Sequence, residues 1–183
     1  NKLINEGWLI MEQDIVIETP RLILRKITID DYPNVSQILQ DIEVMYAWQH
    51  AFSDEEVSDW INENMMRYDR DGYSYWAVIK KCSGHLVGVC GLIAESADNE
   101  DYIGIGYIFN KTFWHQGLGF ESATACKNYA FRNLHISELI AQIRPENFSS
   151  RKVAEKLGMS IIKQFNRLYR GEMVPHLLYR CSK

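Results

Sequence analysis

The segment from residue 113 to residue 123 carries the residue types best suited to bind an anion. Gly117 and Gly119 stand two residues apart, where a stretch with helical hydrophobic spacing begins. Glycine lets the backbone approach a ligand closely, and the first N–H groups of a helix have no partner within that helix. With the helix dipole, the amides of residues 116–120 are suited to hold a pyrophosphate. A helix that merely begins with glycines shows the same spacing, because short glycine motifs are weak signals.

Spacing excludes two other nucleotide-binding motifs in this segment. A dinucleotide-binding fingerprint needs a third glycine at the position where this sequence has Ser122. A P-loop needs Gly-Lys followed by Ser or Thr, which is absent here. The segment therefore fits neither of these sites.

Hydrophobic periodicity predicts the elements that must position this segment. The pattern predicts strands over 15–26, 73–80, 86–93, 102–109, 138–143, 161–169 and 174–181, and helices over 30–40, 53–72, 117 onward and 150–157. Ser53 and Glu56 have the spacing of a capping box at a helix start. Ser83-Gly84 is typical of a hairpin turn, and the polar residues 95–100 are expected to form a loop. The order of elements predicts an α/β fold with parallel neighbours at the sheet centre and ligand binding at strand carboxyl ends.

Length and composition predict a single soluble domain. A chain of 183 residues with 46% hydrophobic residues can close one core, expected over 11–183, whereas residues 1–10 are expected to be a leader or tail. The net charge of −4 argues against nucleic acid as a partner. No stretch has the ~20 apolar residues needed to cross a bilayer, so no membrane partner is expected. Four cysteines and five histidines show no metal or redox spacing, which favours a reducing cytoplasm and no metal site.

Three separated motifs resemble those of one enzyme family. Residues 114–123 resemble the acyl-CoA-binding motif Q/R-x-x-G-x-G/A of the GNAT superfamily, and residues 104–109, just before them, resemble a strand of the same family. Residues 141–159 resemble its N-x-x-S helix, and residues 18–25 resemble its opening strand. The chain is therefore similar to GNAT N-acetyltransferases, and within them to the ribosomal-protein acetyltransferase (RimJ/RimL-like) branch.

The resemblance implies the fold and the acetyl donor. It implies the GNAT fold, a mixed central sheet of about seven strands with splayed parallel central strands, flanked by helices. It implies acetyl-CoA as cosubstrate, with its pyrophosphate on the glycine segment and its pantetheine arm paired to the fourth strand of the family's sheet. The implied binding residues are Tyr107, Ile108, Phe109, Gln116, Gly117, Leu118, Gly119, Phe120 and Asn147.

The resemblance also implies direct attack of an amine on the thioester, with no covalent enzyme intermediate. Ser150 is the candidate proton donor to the departing thiolate, although Asn147, Ser149 and Ser150 all suit a helix N-cap. The family often carries a glutamate where this chain has Gly104, so no general base is assigned. Water passing the proton to Glu95, Asp101 or a backbone carbonyl remains open, as does the interpretation of both acids as loop charges.

The acceptor implied is a primary amine, foremost a protein or peptide N-terminus. Glu43, Tyr46 and Trp48 lie in the region where the family shapes its acceptor site, and they suit a cationic amine with aromatic walls, although core packing explains the aromatics equally well. The alternatives are a small amine such as a polyamine or an aminoglycoside, and a non-catalytic CoA-binding module. Late aromatics such as Phe165 and Tyr169 leave a homodimer open.

Overall fold

The computed structural model describes residues 15–183, so the leader expected over residues 1–10 lies outside the described part. The described residues form one mixed sheet and four α-helices. The strands are β1 (Ile15–Glu18), β2 (Leu22–Lys26), β3 (Tyr75–Lys80), β4 (Leu86–Ala97), β5 (Glu100–Phe109), β6 (Glu138–Ile143), β7 (Ser160–Tyr169) and β8 (Glu172–Ser182). The helices are α1 (Tyr32–Leu39), α2 (Asp54–Arg70), α3 (Leu118–Arg132) and α4 (Phe148–Lys156).

The sheet has eight strands in the order β1-β2-β3-β4-β5-β6-β8-β7. Strands β5 and β6 are parallel, and every other neighbouring pair is antiparallel. The α/β fold with parallel strands at the centre of a mixed sheet is therefore confirmed. A parallel pair needs a crossover, and α3 supplies it between β5 and β6.

Helices cover both faces of the sheet, which explains why its central strands are almost continuously apolar. Along β3, Trp76 and Val78 face the core that includes α3 and α4, whereas Ala77 and Ile79 face the core that includes α1 and α2. This two-sided burial fixes the register of the central strands, because a slip of one residue would exchange the two sets.

Two sequence-based predictions about strands are wrong. The single strand expected over 15–26 is two antiparallel strands, because the chain turns at Thr19–Arg21, where the Thr19 amide donates to the Leu22 carbonyl at 2.9 Å. The loop expected over 95–100 is a hairpin in which β4 and β5 pair up to Ala97 and Glu100. Asp98 and Asn99 close it with positive φ angles of 52° and 66°, a conformation that Asp and Asn tolerate in two-residue turns.

The predicted helix signals hold where a capping side chain is involved. The Ser53–Glu56 capping box begins α2, with the Glu56 amide donating to Ser53 Oγ at 3.2 Å. Helix α4 begins earlier than expected, because Asn147 is its N-cap and Phe148 its first residue. None of the helices within residues 15–183 combines the length and apolar character needed to span a membrane.

Candidate active site

The parallel strands β5 and β6 separate at the centre of the sheet. Gly104 of β5 pairs with Ile140 of β6. Beyond this pair the two strands, which are described over their whole length, form no further pairs with each other. Strand β5 nevertheless continues to Phe109, and β6 continues to Ile143. The diverging ends leave a gap at the strand carboxyl ends, which is where α/β sheets bind ligands.

Two cavities adjoin this gap. We name the first the glycine-loop cavity; it measures about 700 Å³ and is lined by the segment before α3, the start of α4 and the end of β5. We name the second the arginine cavity; it measures about 310 Å³ and includes Arg67, Arg144 and Arg167 in its lining. The two cavities share the lining residues Ala47, Trp48, Tyr107, Asn147 and Ser150 and therefore meet there.

The backbone of the glycine segment suits an anion. Gly117 is the N-cap of α3 with φ of 74°, a left-handed conformation in which glycine carries no steric penalty. The first donor within the helix is the Glu121 amide, which bonds the Gly117 carbonyl at 3.0 Å, so the amides of residues 118–120 precede the helical ladder. Arg21 holds the loop by donating to the Gln116 carbonyl at 3.0 Å and to the Glu121 carboxylate at 2.6 Å.

The charges around the glycine-loop cavity also suit an anion. Lys152 and Lys156 of α4 line it, and its lining contains no aspartate or glutamate. Lys156 lies over the Phe120 ring, with its Nζ 5.9 Å from the ring centroid. A cavity with free helix amides and unopposed lysines fits the phosphates of coenzyme A.

Asn147 organises the junction of the two cavities. Its buried side-chain oxygen accepts hydrogen bonds from Tyr46 Oη at 2.5 Å, from Ser149 Oγ at 3.1 Å and from the Ser150 amide at 3.1 Å. These bonds make Asn147 the cap of α4, so capping does not require the Ser150 hydroxyl. They also tie the Tyr46 loop to the start of α4 across the site.

Ser150 lies at the junction with its hydroxyl unengaged. Tyr107 Oη donates to the Ser150 carbonyl at 2.8 Å, while the Ser150 Oγ makes no hydrogen bond to any residue within 15–183. Burial raises the pKa of Tyr107, so this phenol stays protonated at neutral pH. Ser150 is thus fixed through its backbone and keeps its hydroxyl available to a ligand.

Glu95 fills the space above Gly104, the position where the sequence lacks the family's frequent glutamate. A Cβ built on Gly104 would lie 1.9 Å from Glu95 Oε1, so Glu95 would have to leave its present position to admit a side chain at 104. Burial raises the pKa of Glu95, against the lowering influence of Arg167, the Gln142 amide and Arg67. The carboxyl group lines the arginine cavity and is not a solvated loop charge.

The structure brings most of the sequence-predicted site residues together. The glycine-loop cavity is lined by Tyr46, Trp48, Tyr107, Ile108, Phe109, Gly117, Leu118, Gly119, Phe120, Asn147 and Ser150. Gln116 and Glu43 line neither cavity: Gln116 Oε1 accepts from Lys80 Nζ at 3.1 Å, and the exposed Glu43 pairs with Lys111 at 3.1 Å.

The sequence does not predict the arginine cavity, and only the position of Glu95 within it follows from neighbouring residues. A two-residue turn at Asp98-Asn99 sets the hairpin register, which pairs Glu95 with Tyr102 and Ile93 with Gly104 on one face. That register would have placed Glu95 beside Gly104. Arg67 and Arg167 come from α2 and β7, and nothing local to either residue shows that they meet. Within residues 15–183, no group of three or more His, Cys, Asp or Glu side chains is placed to hold a metal ion.

Comparison with known proteins identifies the family. The sequence profile of the acetyltransferase (GNAT) domain matches residues 21–160. The protein YkkB of Bacillus subtilis (strain 168) is 30% identical over 130 residues, which cover 71% of this chain and 76% of the relative. The crystal structure of a GNAT-family acetyltransferase from Bacillus anthracis superposes with a TM-score of 0.75 at 27% identity, covering 92% of this chain and 98% of that one.

A structure with a bound ligand is also similar in fold. RimL, a ribosomal L7/L12 α-N-protein acetyltransferase in complex with coenzyme A, superposes with a TM-score of 0.77 at 19% identity, covering 92% of this chain and 98% of that one. The profile match alone spans most of the chain and includes both the glycine segment and α4. The chain belongs to the GNAT family of acetyltransferases.

Proposed function

We infer that this protein transfers the acetyl group of acetyl-CoA to a primary amine, foremost the N-terminal amine of a protein or peptide. The observation that carries this inference is the meeting of the two cavities at Trp48, Tyr107, Asn147 and Ser150. One cavity is suited to an anionic donor and the other contains a desolvated carboxyl group suited to an amine. Direct transfer requires that donor and acceptor meet in this way.

Coenzyme A fits the glycine-loop cavity. The amides of residues 116–120 would hold the pyrophosphate, and Lys152 and Lys156 would neutralise phosphate charge. At Tyr107–Phe109, β5 is paired with β4 on one edge and unpaired on the edge towards β6. That free edge would bind the pantetheine arm as an added strand, with Asn147 beside it. The donor supplies a thioester, whose carbonyl carbon the amine attacks.

Ser150 protonates the departing thiolate in this proposal. Its hydroxyl makes no hydrogen bond to the described residues, and it lies where the cavities meet. A serine hydroxyl can give a proton to sulfur as the bond to the acetyl carbon breaks, and the second proton released by the attacking nitrogen restores the hydroxyl, directly or through water. Tyr107 acts as a positioning residue, because its hydroxyl is already engaged with the Ser150 carbonyl.

Glu95 accepts the proton of the acceptor ammonium, directly or through water. Its carboxyl group occupies the space above Gly104, and burial raises its pKa toward the range useful to a base at neutral pH. Asp101, the other acid considered from the sequence, is exposed and lines neither cavity. A carboxylate from β4 would thereby serve in place of the glutamate that the family resemblance implies at the position of Gly104 in β5, which argues against a non-catalytic CoA-binding module.

Three features bear on the choice between a protein N-terminus and a small amine such as a polyamine or aminoglycoside. The similarity to RimL favours an N-terminal acceptor but concerns the fold alone at this identity. Tyr46 and Trp48 lie beside the junction, and Trp48 lines both cavities, so these aromatics are placed to contact an acceptor. Glu43 points to neither cavity, which removes one carboxylate from the expected amine site.

Release of free thiol on mixing the protein with acetyl-CoA and an acceptor tests the proposal. The acceptor panel contains unblocked peptides, the same peptides with acetylated N-termini, a polyamine and an aminoglycoside. We expect release above the protein-free rate with unblocked peptides and none with blocked ones. Equal release with every acceptor, or release only in the absence of any amine, would contradict transfer to a defined acceptor.

A further inference from the structure

The arginine cavity carries a positive charge, which is unexpected for an enzyme that receives an ammonium group. Its lining contains the cations Arg67, Arg144 and Arg167 and one acid, Glu95, which gives three positive charges against one negative and a net charge of +2. His176 adds no charge at neutral pH, because burial, aided by Arg167 and Arg144, lowers its pKa. Burial raises the pKa of the lining phenols Tyr75 and Tyr107, which stay neutral.

Protein groups do not fully neutralise these guanidinium groups. Arg67 donates to Glu63 at 2.9 Å. Arg144, with only 6% of its side chain exposed, approaches its exposed partner Glu146 no closer than 3.9 Å. Arg167 makes no ion pair within 4.0 Å of its nitrogens among residues 15–183. Of the three, only Arg144 is buried, and a buried guanidinium is costly without a close anion. Arg67 is partly exposed and Arg167 is exposed, but both line the same cavity, so the cavity favours an anion from outside the protein.

The cavity walls also restrict what this anion can be. Arg144 lies over the Tyr169 ring, its Cζ 5.8 Å from the ring centroid, so the guanidinium contacts this wall of the cavity. A planar guanidinium binds a carboxylate with two parallel hydrogen bonds. The volume of about 310 Å³ is that of a small ligand or of one or two residues at the end of a peptide.

We propose that the arginine cavity recognises an acceptor whose primary amine and a nearby carboxylate both fit within this cavity. The carboxylate of the acceptor binds Arg144 and Arg167, and its amine lies beside Glu95. Each charge of the acceptor then lies next to an opposite charge of the cavity. A free amino acid and a peptide with an acidic residue next to its N-terminus share this chemistry. A polyamine lacks it, and the three arginines repel one. This inference rests on the proposed amine acetylation and departs from the cationic acceptor that the sequence predicts at Glu43, Tyr46 and Trp48, because it adds a carboxylate to the acceptor.

Peptides that differ in one side-chain charge test the proposal. Amidated tetrapeptides with an N-terminal alanine and Glu, Gln or Lys at the second position are compared by kcat/KM for acetylation, together with free glutamate and a polyamine. Loss of a hydrogen-bonded charge pair costs tenfold or more, so we expect a preference for Glu over Gln of at least about tenfold and a lower value for Lys. Free glutamate as the best acceptor would identify a small molecule as the source of the same chemistry.

Arg167→Gln and Arg167→Glu identify the group that reads the charge. We expect Arg167→Gln to reduce the Glu-to-Gln preference towards one and Arg167→Glu to favour the Lys peptide. Arg170→Gln is the matched control, because Arg170 follows β7 on the surface, pairs with Glu56 at 3.6 Å and lines neither cavity. It should retain the wild-type preference.

The outcomes separate this inference from the proposed function. Equal kcat/KM for the Glu and Gln peptides, or a preference that survives in Arg167→Gln, would overturn the anionic acceptor while amine acetylation stands. Absence of any acetylation would count against the proposed function. Calorimetric binding of the same peptides to the CoA-loaded protein then still reads the charge preference, and equal binding of Glu and Gln peptides overturns the inference.

Discussion

Exchange of the carboxylate between β4 and β5 tests the role of Glu95 directly. Glu95→Ala removes the proton acceptor, and loss of a general base slows the chemical step by about 10²- to 10⁴-fold. Gly104→Glu alone should crowd the site, because its Cβ would lie 1.9 Å from Glu95 Oε1 and the Glu95 side chain would have to move away. Such overpacking costs about 1–3 kcal/mol before the repulsion of two adjacent carboxylates is added.

The double variant, Glu95→Ala with Gly104→Glu, removes this overlap and restores one carboxylate to the same space. Gly104 lies in β5 with no positive φ angle, so a glutamate there meets no backbone penalty. We expect the double variant to regain at least about tenfold of the lost rate, a difference of about 1.4 kcal/mol in barrier height. The two substitutions are each harmful alone and should compensate together, as residues in contact do.

Single-turnover acetylation of the best acceptor, measured from acidic to alkaline pH at saturating acetyl-CoA, is the assay. In the wild type the rate should rise with pH as the Glu95 carboxyl ionises, above its ordinary pKa of 4.5 because burial raises that pKa. Glu95→Ala should lose this rise. Asp101→Ala is the control, since its carboxylate is exposed and lines neither cavity. A Glu95→Ala rate within about twofold of wild type, with chemistry rate-limiting, would refute the assignment, since removal of a base costs far more.

Three further predictions follow from the same geometry. Ser150→Ala should lower kcat by about 10²- to 10⁴-fold with little change in KM for acetyl-CoA, because a leaving-group acid acts in the transition state. Near-normal single-turnover rates of this variant would show that Ser150 takes no part in the chemical step. Gly119→Trp should weaken CoA binding, measured by calorimetry, at least about tenfold. The control Gly119→Ala should fold normally, because its Cβ would lie 3.7 Å from the Phe109 ring. Unchanged affinity of folded Gly119→Trp would contradict the placement of the phosphates. Glu95→Gln should raise the free energy of unfolding at neutral pH, because the raised pKa of Glu95 means that its contribution to stability falls as pH rises from 4.5 through that pKa. Equal denaturant midpoints of Glu95→Gln and the wild type at pH 7 would show that this carboxyl is not desolvated.

Local sequence signals predicted the elements around the glycine segment. The glycines before α3 predicted a helix start at Gly117, and the structure has its N-cap there. The β6 boundaries, 138–143, agree with the observed strand. These features depend on side chains close in sequence, and capping and glycine conformation are local effects. The local geometry of the glycine segment is therefore largely predictable from one sequence.

The acceptor side depends on residues that the chain brings together from far apart. Residues 95–100 are polar and therefore predict a loop. The alternation of apolar and polar side chains along β4 is interrupted at Glu95, because this acid occupies the face that lines the arginine cavity. Gly104 was interpreted as the loss of a base, whereas its missing side chain makes room for that acid. Only the pairing of β4 with β5 shows that these two observations are one feature.

Helix α4 shows how two local signals compete. Asn147, Ser149 and Ser150 are all good N-cap residues, and their sequence cannot rank them. The structure selects Asn147, whose oxygen accepts from the Ser150 amide and also from Tyr46 of a distant loop. The long-range bond to Tyr46 adds to the cap, and it leaves the Ser150 hydroxyl available.

The central claim is that acetyl-CoA and an amine meet at the junction of the two cavities. Tandem mass spectrometry of a peptide with a free N-terminus, an acidic second residue and an internal lysine, incubated with acetyl-CoA and the protein, tests it most directly. The account predicts acetylation on the terminal nitrogen, dependent on the protein and strongly slowed by Ser150→Ala. An unmodified peptide, or acetylation of the lysine at the protein-free rate, would contradict it.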